Sequence, residues 1–284
     1  MKQEVKLESL LGVLVVGILV FLVGMLPVKA MEKEYVNYNG IHISSSEYQT
    51  LHNLGFSNDE IYYMPEDIYN ENKDLSASLL SQTQKYYKTV YTNFGTSYTE
   101  EITEDEYYNH EEPLRGYIQT AYKTVISSIS ANGSRYRYKV TESWNNIPSN
   151  KSYDVIAIGY SGNIHIYSTI TFYFTYTTSN GSTTTSYTAY NKQYGSDGGS
   201  AVYKLPNSFV GLSSLLYFDV EKDSGAGTIT SLHMCGDYAH STQTVTGAEA
   251  ASHGLSIGGI NFSGNVVNKF DAIPCADTYM NVNW

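Results

Sequence analysis

Ile164-His165-Ile166-Tyr167-Ser168-Thr169-Ile170-Thr171-Phe172-Tyr173-Phe174-Thr175-Tyr176 is the stretch that decides the fold. Ile164, Ile166, Ile170, Phe172, Phe174 and Tyr176 share one parity, and His165, Tyr167, Thr169, Thr171, Tyr173 and Thr175 the other. Successive side chains of a strand point to opposite faces, so this period of two sets an apolar row against a hydroxyl row. One buried and one wetted face is the pattern of an antiparallel sheet. Asn180-Gly181 then turns the chain back into Thr183–Tyr190. Upstream, Asn132-Gly133 separates Val125, Ser127 and Ile129 from Tyr136, Tyr138 and Val140. Asn-Gly between alternating runs signals a hairpin, because both central turn residues favour positive φ. Further strands fit Tyr153–Tyr160, Ala201–Leu205, Leu215–Val220, Thr228–Cys235, Thr242–Val245, Leu255–Phe262 and Asp277–Val282. About ten short strands joined by Gly, Ser and Asn turns predict a mainly antiparallel, jelly-roll-like β-sandwich over 116–284.

The chain ahead of this body reads differently. Ser44 with Glu47 and Ser57 with Glu60 each fit a capping box, and Tyr48, Leu51 and Leu54 make one helical stripe. Gly55 stands where a helix ends, and Met64-Pro65-Glu66-Asp67 offers a further helix start. Residues 75–92 carry both signals: Leu75, Leu79 and Leu80 suit a helix, while Tyr87, Thr89 and Tyr91 alternate. Glu100, Glu101, Glu104, Asp105, Glu106, Glu111 and Glu112 form an acidic run closed by Pro113, which reads as a solvated connector. The expected class is α+β: a small helical head and link over 31–92, an acidic connector over 93–115, then the sandwich. Leu51-x-x-Leu54-Gly55-Phe56 superficially resembles the Leu-Gly-Phe turn of small ubiquitin-associated modules, a likeness that a tight helix–Gly–helix turn accounts for.

The first thirty residues read as an address. Lys2 and Lys6 precede an apolar run from Leu10 to Leu26, and Val28-Lys29-Ala30 supplies small residues two apart. These are the parts of a secretory signal, expected to be cut after Ala30. If uncut, the run is the one segment expected to contact a membrane. The expected location is secreted or cell-surface. The net charge of −11 lacks the basic stripe that nucleic-acid binding requires. Head, acidic connector and Tyr-rich sandwich together resemble uncharacterised secreted proteins of Gram-positive bacteria, a resemblance that implies no functional residues.

Several groups are candidates for chemistry. Cys235 and Cys275 can close a disulfide in an exported chain. His233, Cys235 and His240, with Cys275, are zinc-type ligands. Cys235 with His240 is also a thiol–imidazole pair, and both of these uses need a free thiolate. Glycosidic chemistry needs facing carboxylates, for which the body offers Glu142, Asp154, Asp219 and Glu221. No Gly-x-Ser-x-Gly, His-Glu-x-x-His or phosphate loop occurs in the sequence. Tyr167 and Tyr173, on the hydroxyl face, are candidate contacts for a protein or glycan. The leading expectation is a non-catalytic binding protein with an extracellular protein or glycan partner and no cofactor. Behind it stand a β-pore former, using 164–190 as a membrane hairpin, and a secreted hydrolase.

Overall fold

The computed structural model describes residues 34–91, 97–110, 119–145, 150–256, 258–271 and 273–284. The signal segment at 1–30 and its cut after Ala30 lie outside them. No helix among the described residues is long and apolar enough to cross a membrane.

Two antiparallel sheets face one another. The larger contains β3 (Ala77–Tyr91), β4 (Ser97–Ile102), β5 (Gln119–Asn132), β6 (Arg135–Trp144), β8 (Ile164–Ile166), β9 (Thr171–Thr177), β10 (Thr183–Ser186) and β13 (Gly211–Lys222). Its order is β10-β9-β13-β6-β5-β3-β4, with β8 also on β13. The smaller has the order β11-β12-β7-β14-β17, from β7 (Tyr153–Ser161), β11 (Asn191–Gly195), β12 (Gly198–Lys204), β14 (Ser231–Ala239) and β17 (Ala276–Asn281). Eight and five strands exceed the eight of a jelly roll, so the body is a larger antiparallel sandwich. Between the sheets lie Val125, Ile129, Tyr138, Val140, Phe172, Phe174, Leu216 and Phe218 against Ile156, Ile158, Tyr203, Leu232, Met234 and Tyr238. The sheets approach closely at Gly236, where a Cβ would run into Ser127 and Val140.

The hairpins follow the sequence with local corrections. Asn132 pairs with Arg135, so the β5–β6 loop is Gly133-Ser134, and of the two only Gly133 takes positive φ. The deciding stretch is not one ribbon. It breaks after β8, where the amides of Tyr167 and Ser168 turn onto the Asp219 carbonyl, and resumes as β9. Ile170, Phe172 and Phe174 are buried in the core and Ile166 packs against it. The apolar row that a membrane hairpin would present to lipid is thus sandwich interior.

Two expectations about organisation are corrected. The body begins at Ala77, well before 116, because β3 pairs with β5 from Ala77–Asn132 to Tyr91–Gln119. Part of the acidic connector, Ser97–Ile102, is also in the sheet, while Glu111, Glu112 and Pro113 lie outside the described residues. β4 lines up on β3, and Glu101 and Glu100 meet Lys85 and Lys88 at 2.9 and 3.4 Å. Thr103 then caps a short helix, α4 (Glu104–Tyr108), with a capping box to Glu106. Strand pairing and lysine partners make Glu100 and Glu101 part of a sheet edge.

Both outer faces carry a second layer. On the smaller sheet, Val155, Val202 and Ala239 are covered by Val245, Ala250 and Phe270. Thr242–Val245 forms no strand there and leads into α5 (Gly247–Ala251), while β15 (His253–Ser256) pairs antiparallel with β16 (Gly259–Phe262). On the larger sheet the cover is α1 (Ser45–Asn53), α2 (Asn58–Tyr62) and α3 (Glu66–Asn72), preceded by the ribbon β1 (Tyr35–Val36) and β2 (His42–Ile43). Both expected capping boxes form, Gly55 has φ +84 after α1, and Pro65 sits one position ahead of α3.

Candidate functional site

The outward residues of β6, β9 and β13 divide the larger sheet's outer face into two parts. Under the helices, Leu51, Leu54, Phe56 and Ile61 pack on Tyr173, Leu215 and Tyr217. Lys139 is buried here; its ammonium donates to the Glu60 carboxylate at 2.8 Å and the Gly55 carbonyl at 3.0 Å. Burial pulls the Lys139 pKa down while Glu60 holds it up. Arg137 stacks on Tyr217 and pairs with Asp219 at 2.8 Å, and it also donates to Asn72. The helices are therefore fixed to the sheet by buried ionic contacts as well as apolar ones.

Beside them the same face is open. A groove of about 820 Å³ runs between α2 and α4, over the sheet. Its floor is a row of neutral hydroxyls, among them Thr124, Thr141, Ser143, Ser213, Thr175 and Thr177. Tyr63 stands on the α2 side, and Tyr107 and Tyr108 on the α4 side, with Tyr108 64% exposed. Asp59 and Glu60 are the lining carboxylates, and Glu60 is committed to Lys139. Of this floor only Thr175 belongs to the hydroxyl row read in the sequence; the other floor residues come from β5, β6 and β13 and the end of β9, and the walls from the helical head and the acidic run.

A second constellation lies inside the sandwich. Lys123 of β5 and Asp271 are both 0% exposed, with Nζ 2.5 Å from Oδ2. The Lys123 ammonium faces the rings of Trp144 at 4.7 Å and Tyr238 at 5.3 Å. Asp271 Oδ1 accepts the His240 amide at 2.7 Å, and Oδ2 also accepts the Tyr91 hydroxyl at 3.3 Å. Asp154 holds the His240 ring nitrogen Nδ1 at 3.0 Å and accepts from the Tyr238 hydroxyl. Glu142, wholly buried on β6, meets Ser214 at 3.1 Å through Oε2, while Oε1 has no hydrogen-bond partner. Burial raises the Glu142 pKa well above the usual range, with Lys123 opposing. Lys123 and Asp271 had not been singled out in the sequence. The available sign was a lysine on the inward parity of Ala121, Val125 and Ile129.

The residues marked in the sequence scatter over these places. Cys235 and Cys275 are joined in a disulfide with Cα atoms 5.5 Å apart. The proposed ligand set of His233, Cys235 and His240 does not assemble. Cys235 is bonded to Cys275, His233 turns to Asp277 at 3.1 Å, and His240 turns into the core to Asp154. The same bond leaves Cys235 no thiolate for a pair with His240. Tyr173, expected on a wet face, is buried beneath the helices, while Tyr167 is 53% exposed with Arg135 stacked on its ring. Of the four carboxylates, Glu142 and Asp154 are core groups, whereas Asp219 and Glu221 face Arg137 and Arg135.

No protein-family model and no curated protein matches the chain. Among solved structures, the chain is similar to the collagen-binding domain of Erysipelothrix rhusiopathiae surface protein RspB. The identity is 5% and the TM-score 0.27, over 57% of this chain and 65% of that one. It is also similar to the KRT10-binding region domain of the pneumococcal serine-rich repeat protein PsrP, at 12% identity and TM-score 0.27, over 56% of this chain and 88% of that one. Likenesses at this level assign neither a family nor a ligand.

Proposed function

We propose that this is an exported, non-catalytic binding protein whose groove between α2 and α4 takes an extended segment of an extracellular protein. The supporting observation is the groove itself: an open channel with a neutral hydroxyl floor and tyrosine walls. Ser and Thr hydroxyls both donate and accept, which suits the alternating amides and carbonyls of an extended polypeptide. Tyrosine supplies large contact area at low entropic cost. The near absence of free charge in the lining suits a neutral segment rather than an ionic one.

The test is a screen of the signal-free protein against immobilised extracellular proteins and, in parallel, against glycans. Retention of a protein that is lost in Tyr108→Ala and Thr175→Trp, at unchanged melting temperature, supports the reading. Binding to glycans alone would put a sugar chain in the groove instead. Binding unaffected by Thr175→Trp would remove the groove from the account.

A further inference from the structure

We propose that the folded protein joins Lys123 to Asp271 by an intramolecular amide bond inside its own core. The geometry points to it. The Lys123 nitrogen and the Asp271 carboxyl are in direct contact at 2.5 Å, with both side chains at 0% exposure. Trp144, Tyr238 and Tyr91 enclose them, so water has little access to the pair. Glu142 lies on the same inward face as Lys123. The pair Val125–Glu142 is the next inward pair along the β5–β6 ladder from Lys123–Trp144. Glu142 has an unpartnered oxygen, and burial raises the pKa of its carboxyl, which favours the protonated form.

The pressure toward condensation is electrostatic. Glu142, Asp154, Asp271, Lys123 and His240 are all buried in one closed region. Removing an ion pair from water costs several kcal/mol per ion unless the partners are very well satisfied. An amide is neutral, so the bond abolishes two buried charges. Fixed contact also replaces a bimolecular encounter, which can be worth effective molarities of about 10⁵–10⁸ M.

The step balances within the cluster. The Lys123 ammonium passes one proton to Asp271 Oδ2, leaving a neutral amine beside a carboxylic acid. The Nζ lone pair attacks Cγ, and charge gathers on Oδ1, where the His240 amide already donates at 2.7 Å. Glu142 then gives its proton to the Oδ2 hydroxyl and receives one from Nζ. The Cγ–Oδ2 bond breaks, water departs, and Glu142 ends as it began. Ammonium plus carboxylate become amide plus water, with no oxidant, metal or added reactant. The link spans 148 residues of sequence and ties β5 of the larger sheet to the segment leading into β17 of the smaller. Such a closure restrains the unfolded chain much as a disulfide does.

Mass spectrometry of the protein, reduced and denatured after purification, tests this. The expected wild-type mass is one water below the sum for its determined termini. Trypsin should fail to cut after Lys123 and should release one branched peptide containing both Lys123 and Asp271. Full mass, or a water loss confined to a single unbranched peptide, overturns the proposal. In Glu142→Gln the full mass is expected to return in protein with wild-type circular dichroism. A water loss persisting there overturns the role of Glu142. If that variant does not fold, the wild-type peptide map still decides the bond.

Discussion

The two parts of the larger sheet's outer face are built from the same strands and behave oppositely. Under the helices, β6 presents Arg137 and Lys139, and β13 presents Leu215 and Tyr217; these meet partners brought by the N-terminal helices, while Asp219 of β13 pairs with Arg137. A few residues along, the same strands present Thr141, Ser143 and Ser213, which line an open groove. Long side chains with charge or aromatic surface recruit a covering layer, and short hydroxyls leave space. A period of two therefore fixes which residues share a face, while the size and charge of those residues decide whether that face is covered.

This contrast yields graded predictions. Glu60→Ala in the covered part leaves the Lys139 ammonium buried without its partner, and removing one member of a buried pair costs about 3–5 kcal/mol. Urea denaturation should show that loss; a change below about 1 kcal/mol would mean that the helices are not held through this pair. Phe172→Ala, on the inner face of the neighbouring strand, should cost a similar 3–5 kcal/mol, roughly, as a cavity in the core. Gly55 has φ +84 and packs against Ser128, so Gly55→Ala should cost about 1–3 kcal/mol by the same assay. In the open part, Ser213→Ala should stay within about 0.5 kcal/mol of wild type. A larger loss would show that the groove floor is packed rather than open.

The smaller sheet offers a pH counterpart. Burial pushes the Asp237 carboxyl up to about 7, although the amides of Ile260 and Tyr238 donate to it and pull it down. Its folded pKa is above the unfolded value, so its contribution to stability is complete below about 4 and is lost as pH rises through about 7. Carbon NMR of the Asp237 carboxyl should give a midpoint near 7. A midpoint near the ordinary carboxylate value of about 4 would mean that β15 and β16 do not cover it.

Local signals in the sequence translated well where they acted over a few residues. Ser44–Glu47 and Ser57–Glu60 became capping boxes, and the β5–β6 turn fell within one residue of Asn132-Gly133. Signals that depend on a distant partner did not. Residues 77–91 look half helical because Leu79 and Leu80 favour helix, yet pairing with β5 along their length makes them strand. The acidic run looked like a repelling linker because its lysine partners, Lys85 and Lys88, lie on another strand. Tyr173 looked wet because nothing in its own segment announces the helices above it. The buried cluster was the least legible part. Lys123 and Asp271 are distant in sequence, and although Lys123 shares the parity of Ala121, Val125 and Ile129, nothing along the chain pairs it with Asp271.

The central claim is that the open part of this face holds the partner, and filling it tests that claim most directly. Once a partner is identified by the screen, its affinity is measured for Ser213→Trp and for Ser231→Trp on the smaller sheet, both checked for wild-type melting temperature. The expected result is a loss of affinity of at least about tenfold, or 1.4 kcal/mol, for Ser213→Trp and none for Ser231→Trp. Equal affinity of wild type and Ser213→Trp would contradict the assignment of the groove as the binding site.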